Sequence, residues 1–375
     1  MMADGPAYAS TDGTKGENSL RTIKVGVIGC GEIAQWMHLP FLSELTGFSV
    51  TAICDVSPYV VTQVGARFAI EDRFTDYRAL LDRADIDAVV IATPIHSDLA
   101  IAAAEAGKHI LVEKPMALNL GEAEAMAEAA ERNGVVLMVA YMKRYDPGYA
   151  HGQLLMRAMR DVRLIRVHDL NGPNAAFVRD LTTTIRDTDL EAHNRPVLQA
   201  EIRRRTEVAL GAGHPEHVYR AYGLIEGLAS HDISILRGVF GSPRGVHHTE
   251  IWQGGAYVLS ALDYGNECRC VFEIGTTHKK EFDEELTAFG LHNTVRIRFP
   301  SPYVKYAPTL VETTDQEGDA LAQRTITVSY EEAFRRELEH FYGCIVDGQQ
   351  AITPGREGVE DVRLQIDIIK AALRQ

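Results

Sequence analysis

The chain has 375 residues, a length that fits two ordinary domains better than one. Apolar residues make up 46% of it and charged residues 24%, which predicts a folded protein with a large core and excludes intrinsic disorder. The net charge is -14, and the longest basic run is Arg203-Arg204-Arg205. This balance argues against nucleic acids and anionic membranes as partners.

Residues 1–21 are mostly small and polar and lack the apolar segment of a signal peptide, so they are predicted to form a disordered tail. No uninterrupted apolar run is long enough to span a membrane. The five cysteines are odd in number and contain no CxxC pair, which favours a reduced, cytoplasmic setting over a disulfide framework.

Between Ile23 and Tyr141, short apolar segments alternate with helix-length segments. The strand-like segments read IKVGVIG, FSVTAIC, DAVVIAT, HILV and VVLMVAY. Continuous apolar strands that alternate with helices indicate a parallel sheet covered on both faces. One predicted helix runs from about Leu120 to Arg132, with Asn119 as its N-cap and Glu122 as the capping partner. We therefore predict an α/β fold whose first domain, residues 22–145, is a doubly wound Rossmann domain.

After Asp146 the strand-like segments partly alternate between polar and apolar residues, and Gly254-Gly255 is predicted to form a two-residue hairpin loop. Residues 146–375 are therefore predicted to form a second α/β domain with an open, mostly antiparallel sheet, closed by two amphipathic helices. A weakly patterned insertion spans about residues 171–219, and such a segment is typical of a functional loop or a covering arm.

A glycine-rich turn follows the first strand. In VGVIGCGEIAQ, the pattern G-x-G-x-x-A places Gly29, Gly31 and Ala34 between a strand and a helix. The first glycine permits a tight turn, the second lets a pyrophosphate approach the backbone, and the small Ala34 lets helix and strand pack closely. Amides around Glu32 and Ile33 would then face the phosphates.

The second strand ends at Asp55, 24 residues after Gly31. A carboxylate at this place accepts hydrogen bonds from ribose hydroxyls and repels a 2′-phosphate, and no arginine follows within ten residues. NAD is therefore favoured over NADP. The alternative is that Asp55 only caps the next turn.

Four segments together resemble the Gfo/Idh/MocA family of oxidoreductases, whose members act mostly on sugars and cyclitols. They read GVIGCGEIA, VVIATPIHSDLAIAAAEAGKHILVEKPMA, MVAYMKRYDP and SHDISILRGVFG. The resemblance covers nearly all of residues 23–374 except the insertion, and AGKHILVEKP is its most specific motif.

The resemblance assigns roles at the ends of the fourth and fifth strands. It implies that Lys114 reaches the substrate hydroxyl and the nicotinamide ribose, that Glu113 helps to fix the site, and that the bond to Pro115 is cis. Thr93, Pro94 and His96 match the family loop that lines the cofactor, although this loop is about two residues shorter than the commoner form. Lys114 would handle the alcohol proton while hydride moves to the cofactor.

His231 matches the catalytic histidine of the family and can accept a proton near neutral pH. The sequence departs from the family pattern one helical turn earlier, where Gly227 replaces an aspartate. The missing carboxylate is absent, supplied by Glu226 through a distorted turn, or delivered by the insertion. Glu226 is on these grounds a candidate substrate-binding residue.

The linker YMKRYDP places Lys143, Arg144 and Tyr145 after the last Rossmann strand. The resemblance implies that Arg144 borders the cofactor and Tyr145 the substrate, and a plain interdomain linker is the alternative. His214 and His217 share an H-x-x-H spacing, but no cysteine or carboxylate signature accompanies it, so no metal is expected.

The predicted function is NAD-dependent hydride transfer between a nicotinamide and a secondary alcohol of a sugar, cyclitol or related polyol. One alternative is a redox-neutral, NAD-dependent glycoside-cleaving enzyme, and another is a non-catalytic, dinucleotide-sensing regulator. The resemblance also implies a homodimer or homotetramer formed through the sheet of the second domain.

Overall fold

The computed structural model describes residues 21–172 and 183–374. Residues 1–20 of the predicted tail and residues 173–182 of the insertion lie outside this range. The described chain contains two sheets, one parallel and one mostly antiparallel, as the sequence predicts.

The first sheet has six parallel strands in the order β3-β2-β1-β4-β5-β6. The strands are β1 (Ile23–Ile28), β2 (Phe48–Cys54), β3 (Asp72–Phe74), β4 (Ala88–Ile91), β5 (His109–Glu113) and β6 (Leu137–Ala140). The connecting helices are a π-helical turn (Ala34–His38) that continues into α1 (Leu39–Glu44), then α2 (Pro58–Arg67), α3 (Tyr77–Leu81), α4 (Ser97–Glu105) and α5 (Leu120–Asn133). This strand order is the doubly wound Rossmann arrangement.

Helix α5 begins where the sequence predicts. The Asn119 side chain accepts a 3.0 Å hydrogen bond from the Glu122 amide, and the helix ends at Gly134 with φ 63°. A cap of this kind contributes about 1 kcal/mol. The Glu122 carboxylate does not complete the predicted capping box with Asn119. It binds the Arg205 guanidinium at 3.1 Å instead and so ties α5 to the insertion.

The second sheet has eight strands in the order β14-β13-β12-β11-β7-β10-β9-β8. They are β7 (Leu164–Asn171), β8 (Gly245–Trp252), β9 (Tyr257–Asp263), β10 (Arg269–Thr276), β11 (Phe282–Phe289), β12 (Asn293–Phe299), β13 (Leu310–Glu317) and β14 (Ala320–Thr327). Only the β7–β10 pair among these is parallel. The predicted hairpin joins β8 to β9, but its loop has four residues, because a 3₁₀ turn over Gln253–Gly255 precedes Ala256.

The helices of the second half follow the linker. They are a 3₁₀ turn (Met142–Tyr145), α6 (Pro147–Ala158), α7 (Thr188–Leu210), α8 (Glu216–Leu224), a π-helical turn (Ile225–Ala229), α9 (Ser230–Phe240), α10 (Ala333–Val346) and α11 (Gly355–Leu373). The described part of the insertion, residues 183–219, is therefore largely helical, although its weak sequence pattern gives no sign of a helix. Helix α7 has no apolar stripe to reveal it; it carries charged pairs such as Arg203–Glu207 and Arg204–Glu201 on successive turns.

Helices α10 and α11 return to the first half of the molecule. Phe334, Leu338 and Phe341 of α10 join the core that contains β1 and α1. Just before α11, the Thr353 carbonyl accepts a 2.9 Å hydrogen bond from the Val139 amide of β6. The end of the chain thus covers the edge of the parallel sheet. No helix among the described residues has both the length and the apolar content to cross a bilayer.

Candidate active site

The glycine turn between β1 and the following helix has the conformation that its sequence requires. Gly29 has φ 93°, and a Cβ at this position would lie 2.6 Å from the Ala92 carbonyl oxygen, so a side chain is excluded. A Cβ on Gly31 would meet no atom within 4 Å, so the turn is open on that side. Ala34 is fully buried between helix and strand.

The open side of this turn faces a cleft of about 890 Å³. This volume lies at the upper end of the range for small-molecule sites, and it fits an extended ligand such as a dinucleotide. Seven of the predicted cofactor residues line the cleft: Gly29, Gly31, Glu32, Ile33, Asp55, Thr93 and Pro94. The opposite wall is formed by residues 183–198 of the insertion, here called the arm.

Asp55 stands at the end of β2 and organises two turns at once. Its carboxylate accepts hydrogen bonds from the Cys30 amide at 2.9 Å and from the Ser57 amide at 3.0 Å. The first bond fixes the glycine turn, and the second caps the turn into α2. The turn-capping alternative is therefore present in the structure, and it is compatible with ribose binding because each carboxylate oxygen keeps a second acceptor site.

Lys114 directly follows β5, and its peptide bond to Pro115 is cis, as the resemblance implies. Its Nζ donates a 2.8 Å hydrogen bond to the carbonyl oxygen of Gly227. Burial lowers the pKa of Lys114, and the charge of Lys143 adds to this effect, whereas Glu113 opposes it. A lysine with a lowered pKa is suited to move a proton at moderate pH.

Two histidines pack behind Lys114. His38 Nε2 contacts the Glu113 carboxylate at 2.7 Å, while the other Glu113 oxygen accepts a hydrogen bond from the Lys114 amide. Burial would raise the pKa of Glu113, but His38 and the Lys114 charge bring it below its ordinary value. The predicted cofactor residue His96 is buried; its Nδ1 contacts the Pro115 carbonyl at 2.7 Å, so it supports the lysine turn from below the cleft.

His231 lies in the first turn of α9, directly after the π-helical turn that contains Gly227. Its ring packs edge-on against Tyr141, with 6.2 Å between the ring centroids. Burial lowers its pKa well below the ordinary histidine value, and the charges of Lys114 and Lys143 lower it further. The imidazole is therefore neutral at pH 7 and close enough to Lys114 to respond to its charge.

Glu226 does not join this pair. Its buried carboxyl interacts with Tyr222 and Glu122, and burial raises its pKa well above the ordinary value. A distorted turn does exist at this place, since Ile225–Ala229 is π-helical, as is frequent at functional sites. It brings the Gly227 carbonyl to Lys114 and leaves Glu226 on the other side of the helix.

Four buried ionisable residues lie beside His231, and the sequence analysis named only one of them, Lys143, as part of the linker. Asp169, Asp232 and Glu284 offer oxygen atoms within 4.8 Å of one another, and Lys143 forms an ion pair with Glu284. Burial, followed by the charge of Glu284, raises the pKa of Asp169 to about 8, and Asp232 is likewise raised well above its ordinary value. The two aspartates therefore share at least one proton at pH 7. The polar pair Asp169 and Asn171 on β7 is the sequence signal that could have found the group.

Arg144 and Tyr145 lie away from the cleft. Arg144 donates to the Ser234 carbonyl at 3.0 Å, and the Tyr145 hydroxyl contacts Thr353 Oγ1 at 2.6 Å. Both side chains thus pack between the linker and later segments of the chain, namely α9 and the residues just before α11. His214, the first histidine of the H-x-x-H pair, contacts the Leu210 carbonyl oxygen through its Nε2 at 3.1 Å.

A six-stranded parallel sheet, a glycine turn and a carboxylate at the end of β2 define a Rossmann dinucleotide-binding protein. Residues 23–141 match the family model described as an oxidoreductase family with an NAD-binding Rossmann fold, GFO_IDH_MocA. The resemblance to the Gfo/Idh/MocA oxidoreductases is therefore confirmed for the NAD-binding domain, residues 23–141.

The curated relatives match over only part of the chain. The chain is 31% identical over 191 residues to scyllo-inositol 2-dehydrogenase (NAD(+)) of Bacillus subtilis, an alignment that covers 48% of this chain and 55% of the relative. It is 35% identical over 140 residues to levoglucosan dehydrogenase of Pseudarthrobacter phenanthrenivorans, covering 35% and 36%. The chain thus spans about half the length, or less, of these relatives.

The similarity to solved structures extends over both domains. A levoglucosan dehydrogenase in complex with NADH and levoglucosan superimposes with a TM-score of 0.73 at 20% identity, covering 94% of this chain and 98% of that one. An aldose-aldose oxidoreductase from Caulobacter crescentus gives 0.72 at 21% identity, with the same coverage. At such identities the likeness establishes the common fold.

Proposed function

We propose that the protein is an NAD-dependent oxidoreductase that transfers hydride between the nicotinamide and a secondary alcohol of a sugar, cyclitol or related polyol. The observation that carries this proposal is the meeting of Lys114 with the turn before His231. The Lys114 amine is bonded to the Gly227 carbonyl, four residues before the imidazole. An amine and an imidazole with lowered pKa values, at the carboxyl end of a Rossmann strand, form an acid–base pair for an alcohol proton.

Bound NAD would supply the hydride acceptor. The chain's own residues would hold it at the glycine turn and at Asp55, whose carboxylate favours NAD over NADP. Lys114 would orient the substrate hydroxyl and take part in moving its proton. His231, neutral at pH 7, would accept that proton at a ring nitrogen and return it in the reverse reaction.

The polyol class is supported by the polar groups beside the pair and by the relatives. Asn171 donates to Asp169 on β7, and the Asp169 carboxyl interacts with the charge of Lys143. Carboxyl, amide and ammonium groups at this density recognise a ligand with several hydroxyls better than an apolar one. The relatives named for scyllo-inositol and levoglucosan point to the same class.

A screen of sugars and cyclitols with NAD and with NADP, followed by the absorbance of the reduced cofactor, tests the proposal. We expect reduction of NAD by at least one cyclitol or sugar and a much weaker signal with NADP. Consumption of a glycoside without net NADH would support the redox-neutral alternative. NADH binding without turnover of any polyol would favour a dinucleotide-sensing regulator.

We further propose a cytoplasmic homodimer or homotetramer that associates through the second sheet. The free cysteines, all buried, support a reducing compartment. The association is supported by one sheet face that carries cross-strand ion pairs such as Arg166–Glu273 and Arg296–Glu285. Light scattering after size exclusion tests it, and a monomer at micromolar concentration would contradict it.

A further inference from the structure

The arm, residues 183–198, supplies all the positive charge that lines the cleft in the described chain. The Rossmann side contributes Glu32 and Asp55 but no lysine or arginine, whereas the arm contributes Arg186 and Arg195 together with the carboxylates of Asp187 and Glu191. A dinucleotide carries two negative charges on its pyrophosphate. Backbone amides alone would have to offset them on the Rossmann side.

Arg186 interacts electrostatically with Glu32, the residue that follows the second glycine of the turn. Burial raises the pKa of Glu32, which directly follows Gly31, and the Arg186 charge lowers it again. Arg186, two residues before α7, also pairs with Glu191 in the first turn of that helix, through Nε at 3.0 Å and Nη2 at 2.6 Å. These bonds hold the guanidinium in place and leave Nη1 available to a further acceptor.

The first residues of the arm are fastened to the Rossmann domain at two places. The Gln35 side chain donates to the Ile185 carbonyl at 2.9 Å and accepts from the Ile185 backbone amide at 2.9 Å. These are the two hydrogen bonds that a residue of a neighbouring β-strand would form with Ile185. Two residues further along the arm, the Asp187 carboxylate accepts a 2.7 Å hydrogen bond from the Ser57 hydroxyl. The amide of the same Ser57 donates to the Asp55 carboxylate.

We infer that the arm is part of the dinucleotide site: Arg186 binds the pyrophosphate, and the Gln35–Ile185 contact must open before the cofactor can leave. The inference rests on the proposed function only in taking a dinucleotide as the ligand. It assigns recognition of the phosphates to a segment of the second domain, outside the glycine motif. It also makes cofactor exchange depend on the movement of this segment.

The first test is the affinity of NADH for the Arg186→Gln protein, measured by fluorescence titration at low and at high salt. Loss of a charge-assisted hydrogen bond is expected to weaken binding about tenfold or more and to reduce its dependence on salt. Arg204→Gln is the matched control, since Arg204 is exposed on α7 and pairs with Glu201 there. Equal NADH affinity in Arg186→Gln and the wild type would overturn the assignment.

The second test is the rate of NADH release, measured by stopped flow. Gln35→Met keeps the side-chain length but removes both bonds to Ile185 together with the 2.8 Å bond to the Cys30 carbonyl, and release is expected to be about tenfold faster. Thr184→Val removes the 3.1 Å bond from the Trp36 indole and serves if the buried Gln35 variant does not fold. Unchanged release rates in the folded variants would show that the arm does not hold the cofactor.

The outcomes separate this inference from the proposed function. If the wild type binds NADH and the arm variants weaken binding, but no polyol is oxidised, only the proposed function fails. If polyols are oxidised while the arm variants bind and release NADH as the wild type does, only the inference fails. A wild type that binds no NADH would overturn both.

Discussion

The Lys114 amine donates a 2.8 Å hydrogen bond to the carbonyl oxygen of Gly227, and this contact joins the end of β5 to the turn before His231. An aspartate at position 227 would offer a charged acceptor nearby, as the family pattern implies. A backbone carbonyl accepts the same hydrogen bond without a full negative charge. It therefore positions the lysine while stabilising its ammonium form less than a carboxylate would.

Lys114→Met tests whether the amine takes part in the chemistry. We expect the variant to bind NADH as the wild type does and to lose kcat by about 10²- to 10⁴-fold, because the proton-handling group is gone while the cofactor cleft is intact. Fluorescence titration and initial rates measure the two quantities. An unchanged kcat would remove Lys114 from the mechanism.

The rate of alcohol oxidation is expected to rise with pH through a lowered lysine pKa. Lys114 takes part in moving the alcohol proton to His231, and only its neutral amine can accept a proton on the way. This form appears as the pH rises past the pKa of Lys114, which burial holds below the ordinary 10.5. The profile of kcat/KM against pH should therefore level off before pH 10.5. A profile that is still rising there would contradict the lowered pKa.

Gly227→Asp should move that profile to higher pH. A Cβ at position 227 would meet no atom within 4 Å, and the residue is exposed, so the variant is expected to fold. The added carboxylate would stabilise the ammonium form of Lys114 and raise its pKa, and it would do the same for the protonated form of His231. Gly227→Ala is the control for the change in backbone freedom. If the profiles of the two variants coincide, the charge at this position has no influence on the pair.

Asp55→Asn tests the discrimination between cofactors. The amide keeps one acceptor for the glycine turn but removes the negative charge that repels a 2′-phosphate. We expect about tenfold weaker NADH binding and a gain in NADPH binding relative to NADH. Asp82→Asn, an exposed position outside the cleft, is the matched control. A constant NADH/NADPH affinity ratio would assign Asp55 to turn capping alone.

Asp169→Asn is expected to flatten the dependence of thermal stability on pH. The folded-state pKa of Asp169 is raised from 3.8 to about 8, so this group stabilises the fold fully below pH 3.8, and the contribution is lost as the pH rises through about 8. The asparagine imitates the protonated acid at every pH. Between about pH 5 and about pH 9 the wild type should lose about 2 to 4 °C more in Tm than the variant. An equal loss would mean that Asp169 is ionised in the folded protein.

The Rossmann half could be predicted from sequence because its signals are local. The glycine turn, the Asn119 cap and the apolar strands each act over a few residues, and the structure has them at the predicted places. Helix α7 could not be predicted in this way. Its turns are stabilised by ion pairs and by the contacts of Arg205 with Asp98 and Glu122, which are distant in sequence.

The same distinction applies to the site. Lys114 and His231 lie in motifs that can be read locally, and the structure brings them to one place. Asp169, Asp232 and Glu284 come from β7, α9 and β11, and only the fold of the second domain makes them neighbours. Arg144 and Tyr145 lie in a matching motif, but their side chains pack against α9 and Thr353.

Thr353 also has a consequence for any attempt to cut this protein into parts. Its carbonyl and hydroxyl both bond to Val139 on β6, and the neighbouring α10 inserts Phe334, Leu338 and Phe341 into the core around β1. A fragment that stops near residue 145 would expose β6, the outer strand of the parallel sheet. It would also leave cavities in the core where the side chains of Phe334, Leu338 and Phe341 pack. The nucleotide-binding unit is thus continuous in sequence but not self-sufficient, and a minimal version of it would have to carry residues 333–373 as a graft.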